Sequence, residues 1–105
     1  MTGKPGDNRR SEHWPDTRAA HLADEPACMV CGGTLRLEVH HIAPFHVRPD
    51  LELAPDNLIT LCEHPGHDCH YVFGHYHDWR AWNVFVRTDA AAYLAHQREA
   101  HSRVG

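Results

Sequence analysis

The sequence predicts a small α+β domain stabilised by a metal ion. Three observations point there: a length of 105 residues, four cysteines in two pairs, and an alternating apolar run that ends in two adjacent histidines. A chain this short buries a limited core, so folds of its size recruit metals or disulfides to offset chain entropy. Hydrophobic residues make up 42% of the chain and charged residues 23%, the balance of a folded protein rather than a disordered one. The start, MTGKPGDNRR, lacks the apolar core of a signal peptide, and no run approaches the roughly 20 apolar residues of a membrane helix. The expectation is a cytoplasmic protein that makes no use of a membrane. In that reducing compartment cysteines serve as metal ligands more readily than as disulfides.

Residues 1–12 are rich in glycine, proline and charge and are expected to form a flexible tail, leaving a single domain over 13–105. WPDTRAAHLADE predicts a short helix. Pro15 and Asp16 suit its first turn, Trp14, Arg18, His21 and Leu22 share helical spacing, and it ends before Pro26. Cys28 to Gly33 reads as a turn. TLRLEVHHI then alternates, with Leu35, Leu37 and Val39 on one face and Arg36, Glu38 and His40 on the other, which predicts a half-buried strand. Pro44, Pro49 and Pro55 make residues 43–56 an irregular, stiff loop, and NLITLC supplies a second, more apolar strand to pair with the first. A helical turn is expected from about Cys69, with Gly74 breaking its regularity. WRAWNVFV reads as an aromatic wrap with Trp79 and Trp82 expected in the core rather than as base-stacking platforms, the role an exposed tryptophan would offer. Thr88 or Asp89 caps a final helix whose Ala90, Tyr93, Leu94 and Gln97 share a face.

Cys28 and Cys31, separated by two residues, have the spacing with which a tight turn offers both sulfurs to one tetrahedral ion. Cys62 and Cys69 form the second pair, six residues apart across EHPGHD, so that His64 or His67 is an alternative to one sulfur. The four cysteines are the expected ligands of a structural Zn2+. The plainer reading makes them buried small apolar residues.

The formal net charge of −4 argues against a uniformly basic nucleic-acid binder. Metals leave this balance unchanged, because the charge of two divalent ions is cancelled by four thiolates. A basic patch must therefore be local. Nine of the ten basic residues are arginine, whose planar fork grips a phosphate through two hydrogen bonds.

His40 and His41 end the first predicted strand, where neighbouring side chains point to opposite sides and cannot easily share one ligand position. Two different tasks suit them: one imidazole on a metal, the other free to take a proton from water at cellular pH.

In the order CMVCG, LEVHHIAP, PDNLITLC and CHYVFGH, the stretch from Cys28 to His75 resembles an HNH endonuclease, the His-Asn-His class of ββα-metal nucleases; a softer likeness continues through DWRAWNVFVRTDAAAYL. The resemblance implies a ββα-metal core, a β-hairpin plus a metal-binding helix, with flanking N- and C-terminal helices. It makes His40 a metal ligand where many relatives carry Asp, His41 the general base, and Asn57 the central Asn that braces the loop aiming the base. His70 becomes the second ligand of the active-site metal and His75 a third. An α-helix brings residues i and i+4 together, so His70 and His75 meet only where Gly74 distorts the turn.

The implied activity is hydrolysis of phosphodiester bonds in DNA, by nicking or double-strand cleavage, with a divalent Mg2+, Mn2+, Ni2+ or Zn2+ at the active site. DNA is expected to be held by its phosphate backbone with low sequence specificity, through Arg48 and Arg80. The acidic balance and the wide EHPGHD gap fit a nuclease that relies on a targeting protein partner. Two rivals differ in class. One is a zinc-stabilised, non-catalytic module of the same fold that binds nucleic acid or protein, but a binding module has no need of a base beside a metal. The other, a zinc hydrolase of small esters, lacks an accompanying pocket motif.

Overall fold

A computed structural model describes residues 10–104; the expected tail at residues 1–9 lies outside the described residues. Helix α1 spans Trp14–Asp24, with Pro15 and Asp16 in its first turn. It stops at Glu25 because Pro26 disfavours helical backbone in the residue before it. The domain begins earlier than expected. Arg10 and Ser11, assigned from sequence to the tail, pack against the fold: Ser11 is 6% exposed, and its backbone N–H donates to both carboxylate oxygens of Glu52 at 3.1 and 3.0 Å. The correction has a simple cause, a buried acceptor 41 residues away in sequence.

The two predicted strands form an antiparallel hairpin, β1 (Leu37–His41) and β2 (Leu58–Cys62), in the register Leu37 to Cys62 through His41 to Leu58. β1 is shorter than its alternating pattern. Arg36 takes a left-handed conformation (φ 54°), so Leu35 falls outside the strand and is 70% exposed instead of sharing the inner face. All five residues of β2 are buried. The outer edge of β2 is covered by other elements, as an unpaired edge requires. Met29 N–H donates to Thr60 O, the Glu25 carboxylate accepts from Thr60 N–H at 2.8 Å, and Arg87 donates to Leu58 O at 2.9 Å. Glu25 also accepts from Arg87 and His21, so one side chain joins α1, β2 and the C-terminal helix.

The stiff loop between the strands holds two 3-10 turns, Pro49–Leu51 and Pro55–Asn57, each opened by the proline whose fixed φ suits a first helical position. After β2, residues His70–Gly74 form a π-helical turn. Helix α2 spans Val86–Val104 and starts before the expected caps Thr88 and Asp89. Asn83 organises this start: it accepts from Phe85 N–H and donates to the Asp89 carboxylate and to Phe73 O. Of the face expected on α2, Ala90 is buried and Leu94 and Gln97 are half-buried, whereas Tyr93 is largely exposed and meets only the edge of Phe73. Trp79 and Trp82 are not core residues; they are 54% and 37% exposed. The core gathers Val30, Ile59, Leu61, Val86 and Ala90 around Cys28, Cys62 and Cys69. No helix among the described residues is long and apolar enough to cross a membrane.

Glu25→Ala leaves the Thr60 N–H without its acceptor and frees Arg87. We expect it to lower the unfolding free energy by roughly 1–3 kcal/mol, read as a reduced midpoint in urea denaturation.

Candidate active site

Four sulfurs meet inside the core. Cys28, Cys31, Cys62 and Cys69 bring their Sγ atoms within 4.8 Å of one another, and Cys31 Sγ lies 3.7 Å from Cys62 Sγ. A tetrahedral ion with bonds of about 2.3 Å to sulfur holds its ligands about 3.8 Å apart, so the donor set and spacing fit a metal ion. The first pair sits on a tight turn closed by Cys28 N–H to Gly33 O and Gly32 N–H to Cys28 O, both 2.8 Å, with Gly32 at φ 78°. Val30 and Gly33 direct their N–H groups at the sulfurs of Cys28 and Cys31, stabilising negative charge there. Burial raises the Cys31 thiol to about 11, the cost of ionising a sulfur inside the cluster with no cation beside it. The alternative ligands take no part: His64 and His67 stack on each other, ring centroids 4.3 Å apart, across a turn whose apex Gly66 has φ 91°.

Cys69 is followed at once by His70, which binds the sulfur cluster to a second group. His40, His70 and His75 bring three imidazoles together, with His70 Nε2 at 2.9 Å from His40 Nδ1 and 3.2 Å from His75 Nε2. The outer hydrogen bonds fix two tautomers. His70 Nδ1–H donates to the Glu63 carboxylate at 3.1 Å, and His75 Nδ1–H donates to Ala81 O at 2.7 Å. Neither acceptor has a proton to give, so both Nε2 atoms carry lone pairs directed at each other. Two lone pairs at this distance repel unless a cation lies between them, and neutral imidazoles oriented from behind by a carboxylate or carbonyl are the donors a divalent transition metal takes. The three rings fit such an ion.

The π-helical turn explains how residues five apart share it. An i to i+5 turn places His70 and His75 in register, as an α-helix does for i and i+4, and such turns recur at functional sites. Gly74 makes the approach possible: a Cβ there would lie 3.1 Å from His40 Cε1. His40 belongs to the strand face expected to be polar, yet it is only 3% exposed, because this turn covers that face. Burial, first, and the neighbouring His70 and His75 lower its pKa to about 3, so its ring is uncharged at neutral pH.

His41 leaves the strand on the other side. Its Nε2–H donates to Glu52 O at 2.9 Å, which leaves the lone pair on Nδ1, and Arg10 approaches Nδ1 at 3.4 Å. Burial lowers the His41 pKa to about 4, with the Glu52 carbonyl opposing the shift and Arg10 adding to it. The Arg10 guanidinium lies between the rings of Trp14 and Phe45, 5.2 and 5.0 Å from their centroids, a cation–π cradle. Asn57 touches neither histidine. It spans the loop instead, accepting from Ala43 N–H at 2.8 Å and donating to Ala43 O and Leu51 O, and so fixes the segment whose Glu52 carbonyl holds His41. Its geometry is that of a positioning residue.

All four imidazoles face one cleft of about 400 Å³, shared with Arg10, Phe45, His46, Trp79, Arg80 and Trp82. Of the two arginines expected to hold phosphate, Arg80 lines this cleft and Arg48 does not. Each already grips an aspartate two residues away, Arg48 with Asp50 and Arg80 with Asp78. Sequence reasoning missed Glu52 and Glu63 and counted Arg10 only among the nine arginines open to a local basic patch, because their parts depend on chain crossings that carry no local motif.

Compared with known families, residues 28–71 match the model described as HNH endonuclease. Neither the curated proteins nor the solved structures yielded a match to the chain.

Two outcomes follow from these geometries. Strong chelation, or Cys28→Ser, is expected to abolish cooperative melting and collapse the far-UV circular dichroism, because the sulfur cluster lies within the core. Glu63→Ala removes the carboxylate behind His70 and should weaken divalent-metal binding at the three histidines by roughly 10–100-fold in calorimetry, with the melting curve retained.

Proposed function

We propose, from the match of residues 28–71 to the family model described as HNH endonuclease, that the protein hydrolyses phosphodiester bonds in DNA, with His41 as general base and a divalent cation held by His40, His70 and His75. The observation that carries the reading is the divergence of two neighbouring side chains. His40 turns into the imidazole group, while His41 presents an unprotonated Nδ1 to the same cleft. A fold that served only to bind would have no use for this separation.

The backbone phosphate lies in the cleft with the His41 side chain on one flank. Nδ1 takes a proton from a water molecule as the water oxygen attacks phosphorus and the bond from phosphorus to the 3′ oxygen breaks. The Glu52 carbonyl keeps His41 in the tautomer that can do this and stabilises the ring once it is protonated. Arg10, released from Nδ1, donates to a non-bridging phosphate oxygen; its aromatic cradle holds the guanidinium in reach. When bound, the divalent cation neutralises the charge that develops on the phosphate and on the leaving oxygen. Asn57 acts through the loop and not on the substrate. Cys28, Cys31, Cys62 and Cys69 would hold a structural Zn2+, and His70, the residue after Cys69, would be kept against the hairpin by it. With Arg48 and Arg80 engaged by aspartates, affinity for naked DNA is modest, and a targeting protein partner fits a chain of net charge −4.

The two histidines separate by role. His41→Ala is expected to keep the fold and both metals while slowing plasmid cleavage by roughly 100-fold or more, the scale of general-base removal. His40→Ala and His70→Ala should lose the second metal together with activity, and excess Mn2+ or Ni2+ should restore part of it. The measurements are cleavage rates over a metal titration, with calorimetry on each variant. Metal loss in His41→Ala but not in His40→Ala reverses the assignment. Unchanged cleavage in all three rejects these residues as the hydrolytic site, and no cleavage by the unaltered protein over the same metal series favours a non-catalytic binding module.

A further inference from the structure

Two large aromatic rings line the cleft and keep much of their surface open to solvent. Trp79 and Trp82 remain 54% and 37% exposed. Trp79 lies against the imidazole group, its ring 5.2 Å from His70 and 4.8 Å from His75 between centroids. Trp82 meets the ring of His46 edge-on at 6.5 Å. Exposure of this kind costs free energy in water; other exposed apolar side chains, Leu35, Tyr76, Val84 and Phe85 among them, lie outside the cleft lining, whereas both tryptophans belong to it.

Charge patterning adds a second observation. The chain is acidic overall, yet no carboxylate lines the cleft among the described residues, while Arg10 and Arg80 both do. The cleft therefore combines a few guanidinium groups with exposed aromatic faces. That combination suits single-stranded nucleic acid, whose bases are free to stack on protein rings while cations follow the backbone. A duplex is served poorly by it. Its bases are already stacked inward, so a ring at the rim meets only sugar and phosphate, and the sparse arginines supply little of the dense positive charge a duplex rewards.

We propose that Trp79 and Trp82, at the rim of the cleft holding His40, His41, His70 and His75, form a base-stacking site that makes single-stranded nucleic acid the preferred substrate. The inference rests on the phosphodiesterase reading above and names the substrate class for that same cleft. A phosphate at the imidazole group brings the base of an unpaired nucleotide onto Trp79, and the neighbouring base extends the stack to Trp82.

The test is binding of the zinc-loaded full chain, without added second metal, to a fluorescent oligothymidylate, to a duplex of equal length, and to an abasic strand with the same number of phosphates. At physiological salt the single strand is expected to bind at least roughly tenfold more tightly than either competitor, with quenching of tryptophan fluorescence. Trp82→Ala should lose roughly tenfold for the single strand alone, and Trp82→Phe should restore most of it. Trp82 is the residue to vary, because Trp79 also supports His70 and His75.

Equal affinity for the abasic strand, preference for the duplex, or a folded Trp82→Ala variant with unchanged binding overturns the stacking site. Cleavage of the same oligomers reports separately on the hydrolytic reading. Loss of strand preference with His41-dependent cleavage intact overturns only the stacking site; strand-selective binding without His41-dependent cleavage overturns only the hydrolysis.

Discussion

The convergence of four sulfurs on one point is the constraint from which the rest of the domain follows. Cys28 and Cys31 come from the turn after α1, Cys62 ends β2, and Cys69 precedes the π-helical turn, so the cluster ties together three segments of the chain. The buried apolar residues around it are few, Val30, Ile59, Leu61, Val86 and Ala90. In a domain this size a metal bound by four thiolates contributes folding free energy that packing alone does not provide. Its position matters as much as its strength. Because Cys69 and His70 are consecutive, whatever fixes the sulfurs also fixes the imidazole that faces His40 across the hairpin.

The active-site candidate is thus built on a rigid frame but aimed by weaker bonds. His70 and His75 are turned inward by a carboxylate and a carbonyl, and His41 by the Glu52 carbonyl on a loop that Asn57 spans. Each of these bonds contributes only about 0.5–3 kcal/mol, yet each selects a tautomer, and a tautomer decides whether a ring can bind a cation or accept a proton. Glu52 illustrates the economy of the loop. Its carboxylate captures the backbone of Ser11 while its carbonyl orients His41, so the N-terminal segment that delivers Arg10 is anchored at the residue that aims the base.

Charge and aromatic surface divide the molecule in a complementary way. Arg48 and Arg80 are neutralised locally by Asp50 and Asp78, in exposed pairs that solvent screens and that a phosphate can compete for. Arg10 is held by rings instead of by a carboxylate, so its charge stays available to the cleft. The cleft collects guanidinium, imidazole and indole groups with no carboxylate in its lining among the described residues, while Asp78 and Glu63 hold Arg80 and His70 from outside that lining.

Read alone, the sequence determined the features that depend on local order and ligand chemistry. The paired cysteines, the divergence of His40 and His41 at a strand end, the pairing of the two strands and the helix stopped by Pro26 all follow from spacing, alternation and backbone stereochemistry, which neighbouring residues fix among themselves. Tertiary structure decided the rest, for reasons that act through space. Whether four sulfurs or three with a histidine come together depended on the path of the EHPGHD turn, which stacks His64 on His67 and leaves both rings out of the four-sulfur group. Whether His75 could join His70 depended on a π-helical turn, which local propensity does not announce and which Gly74 permits by leaving room for the His40 ring. Arg10 and Ser11 looked like tail because their partners, His41 and Glu52, lie tens of residues away. Trp79 and Trp82 looked like core because composition records the size of an apolar side chain, whereas only the packed fold decides whether anything remains to cover it.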